Sequence, residues 1–385
     1  MDKLVYLYYP LLLIVLLWGA KFCGFKKWND EFMSISQTKA LQGFTALCIM
    51  FHHIGQKTCA SWLHPKLIIP GLEVFVPIGY YFVGIFMFCS GYGIYKSFKS
   101  KSDYLKGFFG RRILPLILAY YSTGIIFLIA RVLLKQKMDI PQFLYYLFGL
   151  QLSNPNTWYV IAMPFLYLFF YLAFRFCKKE SVATFLVCFM VFLYTLLGTF
   201  IDHNNWWMRG EWWYNSVHFF SIGLLFARHE KKLLPFIKKY YYVILAVCLL
   251  LVLPLFGLSE YAQGTFSYYG ENFNAPDKVF RRWVCLLSQI ACSCVFVFSV
   301  FLLGLKVKIG NKFIHFMGTI TLEFYLIHGL FLELFAYSFD NAAPSIYYVR
   351  NVPLLVLIVF IPSIPAALLL QKLHRKLCAL LCHSS

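Results

Sequence analysis

The sequence predicts an all-α, polytopic integral membrane protein with about eleven transmembrane helices. Of its 385 residues, 61% are hydrophobic and only 13% are charged, which is about half the charged fraction of a soluble domain. The mean hydropathy is +0.68, and runs such as residues 113–130 and 352–370 reach or approach the length that crosses a bilayer core of roughly 30 Å. This composition excludes a soluble enzyme, a disordered protein, a secreted disulfide scaffold and a collagen-like fibre.

Short charged or Pro-, Gly- and Asn-rich breaks separate the apolar runs and define the predicted spans. The first run is predicted to be a retained helix, because it lacks the basic flank and the cleavage site of a signal peptide. Residues 141–152 are too few to cross the bilayer and are predicted to lie at its surface. The predicted spans are residues 4–21, 39–56, 73–95, 112–133, 157–176, 182–200, 212–228, 240–257, 282–304, 317–337 and 351–371.

The net charge is +19. The distribution of the basic residues along the chain predicts an orientation in a cell membrane and no nucleic-acid partner. Lys and Arg form short clusters between the apolar runs, and no nucleic-acid motif accompanies them. Because basic loops stay in the cytoplasm, the N-terminus is expected outside and the C-terminus inside. The expected cytoplasmic loops contain 24 of the 35 basic residues and are residues 21–39, 96–112, 175–181, 228–240, 304–313 and 371–385.

The twelve cysteines predict neither a metal site nor a disulfide framework. They lie mostly inside apolar runs and form no CxxC pair, so we interpret them as small core hydrophobes. No cluster of His, Cys and acidic residues has the spacing of metal ligands. Neither a metal nor a permanently bound cofactor is expected.

Two adjacent histidines in the second predicted span differ in the helix face that they occupy. At 100° per residue, Lys39 and Gln42 share a face, and His53 lies only about 20° from Gln42, about 16 Å further along the axis. His52 is turned about 80° the other way. His53 thus continues a polar stripe that begins at the basic end of the helix, about 21 Å from Lys39.

The imidazole of His53 suits proton transfer, because it changes charge near neutral pH and its neutral form accepts a proton from a hydroxyl. At this depth it could meet one substrate from each side of the membrane. The alternative is that His53 only hydrogen-bonds a neighbouring helix.

Other ionisable residues in the spans are candidates because their burial is costly. Arg111 and Arg112, at a helix entrance, suit phosphate groups because guanidinium binds them bidentately, although they could equally be ordinary cytoplasmic anchors. Tyr325 and His328 share a helix face. Glu323 is about 140° from His328 around the same helix, so it must find a partner on another helix or stay protonated.

Several motifs resemble those of the membrane acyltransferase-3 family. Residues 37–55 (QTKALQGFTALCIMFHHIG) resemble the opening helix, which typically reads LRG with a later His. Residues 82–93 (FVGIFMFCSGYG) resemble the Gly-hydrophobe-FF-x-x-SG-aromatic signature and include Ser90 and Gly91. Residues 108–115 (FFGRRILP) resemble the R-x-x-R-I-x-P stretch, and residues 318–329 (GTITLEFYLIHG) resemble the late G-x-x-S-x-x-x-Y-L-x-H motif. Trp158-Tyr159 and residues 211–227 resemble weaker features of the family.

Two departures from the family pattern concern the donor end. Gln42 stands where the family has Arg, which removes a permanent charge. Phe109 replaces the first Arg of R-x-x-R, with Arg111 and Lys106 able to supply charge nearby. Ser90 is not a nucleophile elbow, because GxSxG is absent, and the Ser-Gly step suits close packing.

The resemblance implies transfer of an acyl group, often acetyl, from a cytoplasmic CoA thioester to an extracytoplasmic carbohydrate. It implies His53 as the general base. It further implies that residues 39–378 form the family domain and that residues 1–38 add a transmembrane helix and a cytoplasmic loop. No fused extracytoplasmic domain is expected. The expected donor-binding residues are Lys39, Gln42, Lys106, Arg111 and Arg112, and the expected site-lining residues are Ser90, Gly91, Trp158, Glu323, Tyr325 and His328.

The expected function is therefore O-acylation of a cell-surface or lipid-linked glycan, with acyl-CoA as co-substrate. The alternative from another class is a proton-coupled transporter or flippase of a lipid-linked sugar, in which His53, Glu323 and His328 form a pathway. Inverted repeats would favour that alternative, and none is evident in the sequence. A structural subunit is a weaker third possibility.

Overall fold

A computed structural model describes residues 3–202, 210–266, 275–336 and 346–383, and these ranges fold almost entirely as helices. A 3-10 turn, Lys3–Leu7, precedes α1, and a π turn, Phe109–Ile113, precedes α4. The helices in the described ranges are α1 (Tyr8–Leu17), α2 (Ile35–Thr58), α3 (Gly79–Ser100), α4 (Leu114–Leu133), α5 (Ile140–Leu147), α6 (Trp158–Phe176), α7 (Glu180–Phe200), α8 (His218–Lys239), α9 (Tyr241–Phe266), α10 (Lys278–Gly304), α11 (Lys312–Thr319), α12 (Thr321–Phe335) and α13 (Val352–His383).

The all-helical fold class is confirmed, but the count of about eleven spans is not. Within the described ranges, six helices are both long and apolar enough to cross a bilayer. A seventh is added if α11 and α12, which are bent by 84° to each other, count as one broken span. The six are Phe109–Leu133, Pro155–Phe176, Glu180–Phe200, Tyr241–Phe266, Lys278–Gly304 and Val352–Leu381.

The remaining predicted spans differ from the helices for physical reasons. The first predicted span, residues 4–21, corresponds to a shorter apolar helix, Lys3–Leu17. The predicted span 317–337 is interrupted at Ile320, which caps α11 with φ −117° and ψ 15°, and its last residue lies outside the described ranges. Helices α2, α3 and α8 have 24, 22 and 22 residues. They are long enough to cross a bilayer, but they are not among the helices that are also apolar enough.

Glycines allow two helix pairs to pack at backbone distance. A Cβ on Gly91 of α3 would lie 1.9 Å from the Phe220 carbonyl oxygen of α8, and a Cβ on Gly223 of α8 would lie 2.1 Å from the Phe88 carbonyl oxygen. Helices α2 and α11 meet in the same way at Gly43 and Gly318. These contacts fix α3 against α8, and α2 against α11, the helix before the bend into α12.

A short antiparallel pairing connects the segment after α1 to the segment after α10. Strand β1 (Lys21–Phe22) pairs with β2 (Val307–Lys308). Beside it, the buried Lys306 ammonium donates hydrogen bonds to the carbonyls of Phe25 and Lys27 at 2.6 and 2.9 Å and lies 3.5 Å from the centre of the Trp28 ring. Burial lowers the pKa of Lys306.

Candidate active site

The structure brings two of the predicted histidines into direct contact. His53 lies on α2 and His328 on α12, 275 residues apart in sequence, and His53 Nδ1 is 2.7 Å from His328 Nε2. The rings are nearly parallel, with centroids 5.0 Å apart. His328 is completely buried, whereas His53 is half-buried and borders a cavity.

The hydrogen bonds of this pair determine which nitrogen carries each proton. His328 Nδ1 is 2.9 Å from the Phe324 carbonyl oxygen, and a carbonyl can only accept, so Nδ1 must be protonated. In the neutral ring Nε2 is then an acceptor, and His53 Nδ1 must donate to it. The remaining nitrogen, His53 Nε2, keeps its lone pair and has no hydrogen-bond partner in the described part of the chain.

His52 has different surroundings, although its ring borders the same cavity. His52 Nδ1 donates to the Phe75 carbonyl oxygen at 2.9 Å. Its ring lies against Gly79, where a Cβ would come within 2.4 Å of Nε2. Of the two adjacent histidines, His53 is the one that hydrogen-bonds α12.

Two cavities lie around opposite halves of α2. The lower cavity, about 360 Å³, borders Gln42 and Ile49. The upper cavity, about 830 Å³, borders Ile49, His53 and Cys59. Gln42 and Cys59 are separated by about 25 Å of helix. Both volumes fall in or near the range of small-molecule sites.

Tyr325 lies where the two cavities approach each other. With Ile49 and Val83, it lines both of them. Its ring centroid is 6.1 Å from that of His53, and its hydroxyl is buried without a hydrogen-bond partner in the described structure. A buried hydroxyl without a partner is energetically costly, which makes Tyr325 a candidate hydrogen-bond donor to a ligand between the cavities.

Glu323 lines the lower cavity, and its partner lies on α13, a different helix, which is one of the two alternatives that the sequence left open. Its Oε1 lies 3.2 Å from Nδ1 of His374, and His374 Nε2 lies 2.7 Å from Ser122 Oγ on α4. Gln371, one turn before His374, also lines the cavity and donates to the Thr319 carbonyl oxygen at 2.5 Å. This polar chain joins α4, α12 and α13.

Of the predicted donor-binding residues, Gln42 lines the lower cavity, and Lys39 and Arg112 lie about a turn from residues that line it. Gln42 lines it, and the exposed Lys39 is one turn earlier on α2. Leu116 also lines it, and Arg112 lies about one helical turn before Leu116. Lys106 is exposed in the segment between α3 and the π turn.

Arg111 and Arg112 are held by that same segment. Arg111 donates to the carbonyls of Tyr104 and Lys106 at 2.7 and 2.6 Å. Arg112 Nε donates to the Tyr104 hydroxyl at 2.9 Å, and its Nη2 lies 3.5 Å from Ser97 Oγ. Burial raises the pKa of Tyr104, so the phenol is neutral at physiological pH and accepts this bond.

Three other predicted residues divide between packing and the upper cavity. Ser90 Oγ is 2.8 Å from the Tyr167 hydroxyl, and Gly91 lies at the contact of α3 with α8. Neither is among the described lining residues of the two cavities. The buried Trp158 borders the upper cavity.

Several polar residues in or beside these cavities were not among the predicted site residues. His374 and Gln371 lie at or beyond the predicted end of the last span, because α13 continues to His383. Tyr159 lines the lower cavity. Gln289 lines the upper cavity and donates to Glu211. Only the three-residue spacing of Gln371 and His374 could have suggested that they share a face.

The fold and the cavities define an all-helical membrane protein that holds an imidazole pair between two ligand-sized cavities. Comparison with protein families identifies it further: the model of the acyltransferase-3 family, described as an acyltransferase domain, matches residues 37–372. The chain belongs to this family, and the match supports acyl transfer as its general activity. No curated protein and no solved structure matches the chain significantly.

Proposed function

We propose that this protein transfers an acyl group, most simply acetyl, from acyl-CoA in the lower cavity to a hydroxyl of a glycan in the upper cavity. The observation that supports this most is the position of the His53–His328 pair and Tyr325 between two cavities that share a wall. A transferase whose substrates arrive from opposite sides of a membrane needs such a meeting point, because both substrates must approach within about 3.5 Å for reaction.

The chemistry begins at His53. Its free Nε2 accepts the proton of the acceptor hydroxyl while the hydroxyl oxygen attacks the thioester carbonyl carbon. The C–S bond of the tetrahedral intermediate then breaks, and the CoA sulfur takes the proton from His53. The products are the glycan ester and free CoA, so atoms and charges balance without a further reactant.

His328 positions this base. Its Nε2 accepts the hydrogen bond from His53 Nδ1 and so holds His53 in the tautomer whose Nε2 is free to act. When His53 becomes protonated, the same bond stabilises the imidazolium, and His328 is fixed in turn by the Phe324 carbonyl. His328 acts through His53 and is a positioning residue.

Tyr325 supplies the donor for the developing oxyanion. Tyr325 lines both cavities, where the thioester carbonyl must meet the acceptor, and its buried hydroxyl is unpaired in the described structure. A hydrogen bond formed to the tetrahedral intermediate, and only weakly to the ground state, accelerates the reaction.

The basic residues around the lower cavity suit the CoA phosphates. Arg112 and Lys39 each lie about a turn outside a residue that lines this cavity. Gln42, inside it, provides an uncharged amide where the family has Arg. The acyl-pantetheine arm would extend past Gln42 towards Tyr325, and the phosphates would stay at the charged end.

The test uses purified protein in proteoliposomes, with radiolabelled acetyl-CoA on one side of the bilayer and candidate glycans on the other. We expect CoA-dependent transfer of label to the glycan. The flippase alternative predicts movement of a lipid-linked sugar without release of free CoA. Movement of the sugar without labelling of any glycan would refute the proposal.

A further inference from the structure

The upper cavity combines aromatic rings, amides and carboxylates. Trp62, Trp158 and Trp212 border it, and flat rings of this kind stack on the C–H faces of sugars. Its acidic lining residues are Glu73, Glu211 and Glu260. The described residues that border this cavity include no Lys or Arg.

Asn215, which lines this cavity, has a buried hydrogen-bond acceptor without a partner among the described residues. Asn215 Nδ2 donates to Gln289 Oε1 at 3.2 Å, and Gln289 Nε2 donates to a carboxylate oxygen of Glu211. Because the carboxylate only accepts, this chain fixes the orientation of both amides. Asn215 Oδ1 is left buried and without a partner in the described structure.

The unpaired oxygen indicates the chemistry of a ligand that this cavity would bind. An acceptor buried without a partner destabilises the protein until a donor reaches it. A sugar hydroxyl or N–H group can donate to Asn215 Oδ1, whereas a carboxylate or phosphate brings only acceptors to the contact. The orphaned oxygen therefore favours a ligand that presents hydroxyl groups.

The charges of the residues that line the cavity also disfavour an anionic ligand. A negative charge on the ligand would lie within a cavity that carries three carboxylates. At an effective dielectric constant of about 20, repulsion from one carboxylate about 10 Å away lowers affinity by about tenfold.

We infer that the upper cavity selects an uncharged glycan and discriminates against acidic ones such as uronic acids. Asn215 accepts a hydrogen bond from a hydroxyl of the sugar, and the carboxylates exclude anions. This inference rests on the proposed function, because it names the acceptor of that reaction.

The experiment compares a neutral glucose oligosaccharide with the matching glucuronic acid oligosaccharide, which differs by the carboxylate at C6. With the purified full chain and labelled acetyl-CoA, we expect kcat/KM to be at least about tenfold higher for the neutral acceptor. Glu260→Gln, at an exposed lining position, should narrow this ratio by about threefold. Glu31→Gln removes a carboxylate from an exposed ion pair with Lys308 and should leave the ratio unchanged.

Asn215→Ala tests the hydrogen bond separately. It should raise KM for the neutral acceptor by about tenfold without changing KM for acetyl-CoA. An equal kcat/KM for the two acceptors, or a higher one for the acidic acceptor, would overturn the proposed selectivity. It would not contradict acyl transfer itself. Failure of the wild type to acylate either glycan would overturn the proposed function and this inference with it.

Discussion

The two cavities differ in the charge around them. Lys39, near the N-terminal end of α2, and Arg112, in the π turn before α4, each lie about a turn from a residue that lines the lower cavity. The lining of this cavity includes one carboxylate, Glu323, which is paired with His374. The upper cavity is more than twice as large in volume and has Glu73, Glu211 and Glu260 in its lining.

Under the proposed function, this difference suits a polyanionic donor and an uncharged acceptor. A polyanionic donor such as acyl-CoA is attracted to the basic end and repelled by the acidic cavity, so it is held on one side of the His53–His328 pair. An uncharged acceptor enters the acidic cavity without penalty. Separation of substrates by charge would also keep water-exposed CoA phosphates away from the reacting atoms.

The largest effect is expected at the boundary between the cavities. His53→Ala should lower kcat by 10²–10⁴-fold, the range for loss of a general base. His52→Ala should retain substantial activity, because His52 bonds the Phe75 carbonyl and not the α12 histidine. Labelled-acetyl transfer at matched amounts of folded protein measures both. Loss of activity in His52→Ala alone would show that the site is assigned to the wrong face of α2.

A somewhat smaller effect is expected at Tyr325. Tyr325→Phe removes only the hydroxyl and should lower kcat by about 10²-fold, as for loss of an oxyanion donor, with little change in either KM. Tyr167→Phe is the matched control, because its hydroxyl bonds Ser90 away from both cavities. If the Tyr325 variant changes KM for the acceptor and leaves kcat unaltered, Tyr325 belongs to the upper cavity and not to the boundary.

Helical periodicity explains why the imidazole site was predictable. The positions of Gln42 and His53 on one stripe of α2 follow from 100° per residue, and the structure places Gln42 in the lower cavity and His53 at the upper one. The same rotation of 100° per residue predicted that Glu323 and His328 lie on different faces of their helix. The contact between His53 and His328 needed the family resemblance in addition, because periodicity within one helix carries no information about which helix faces it.

Other features depend on tertiary packing that the sequence does not encode locally. The break at Ile320 lies in an apolar stretch without Pro, so the span 317–337 read as one helix. The extension of α13 beyond residue 371 places His374 against Glu323. In the sequence, the Gln and Lys residues at this point indicated the end of a span. Hydropathy and length also do not select α2, α3 and α8 as spans, although glycines pack these helices closely against their neighbours.

Substitutions at Arg112 test whether the basic residues near the lower cavity bind the donor. Charged hydrogen bonds to phosphates are worth about 1.5–3 kcal/mol, so Arg112→Ala should raise KM for acetyl-CoA by roughly ten- to hundredfold. Arg112→Lys should recover only part of this, because an ammonium cannot bind bidentately. Tyr104→Phe is the control: it removes the hydroxyl that Arg112 Nε bonds and keeps the charge. An unchanged donor KM in folded Arg112→Ala would make Arg112 a membrane anchor only.

The smallest effect is expected at Lys39, where exposure weakens the interaction. Lys39 is exposed, and exposed charge pairs contribute about 0.2–1 kcal/mol. Lys39→Gln should therefore raise KM for acetyl-CoA by no more than about fivefold.

The dependence on salt concentration distinguishes the contribution of Lys39 to donor binding from that of Arg112. At about 1 M ionic strength the Debye length falls to about 3 Å, so the KM difference between wild type and Lys39→Gln should disappear. The half-buried Arg112 is screened less, and its KM effect should persist in part. Donor titrations at low and high salt on both variants measure this contrast. If the Lys39→Gln effect survives high salt, the ammonium contacts the donor directly, and the donor site extends further along α2 than Gln42.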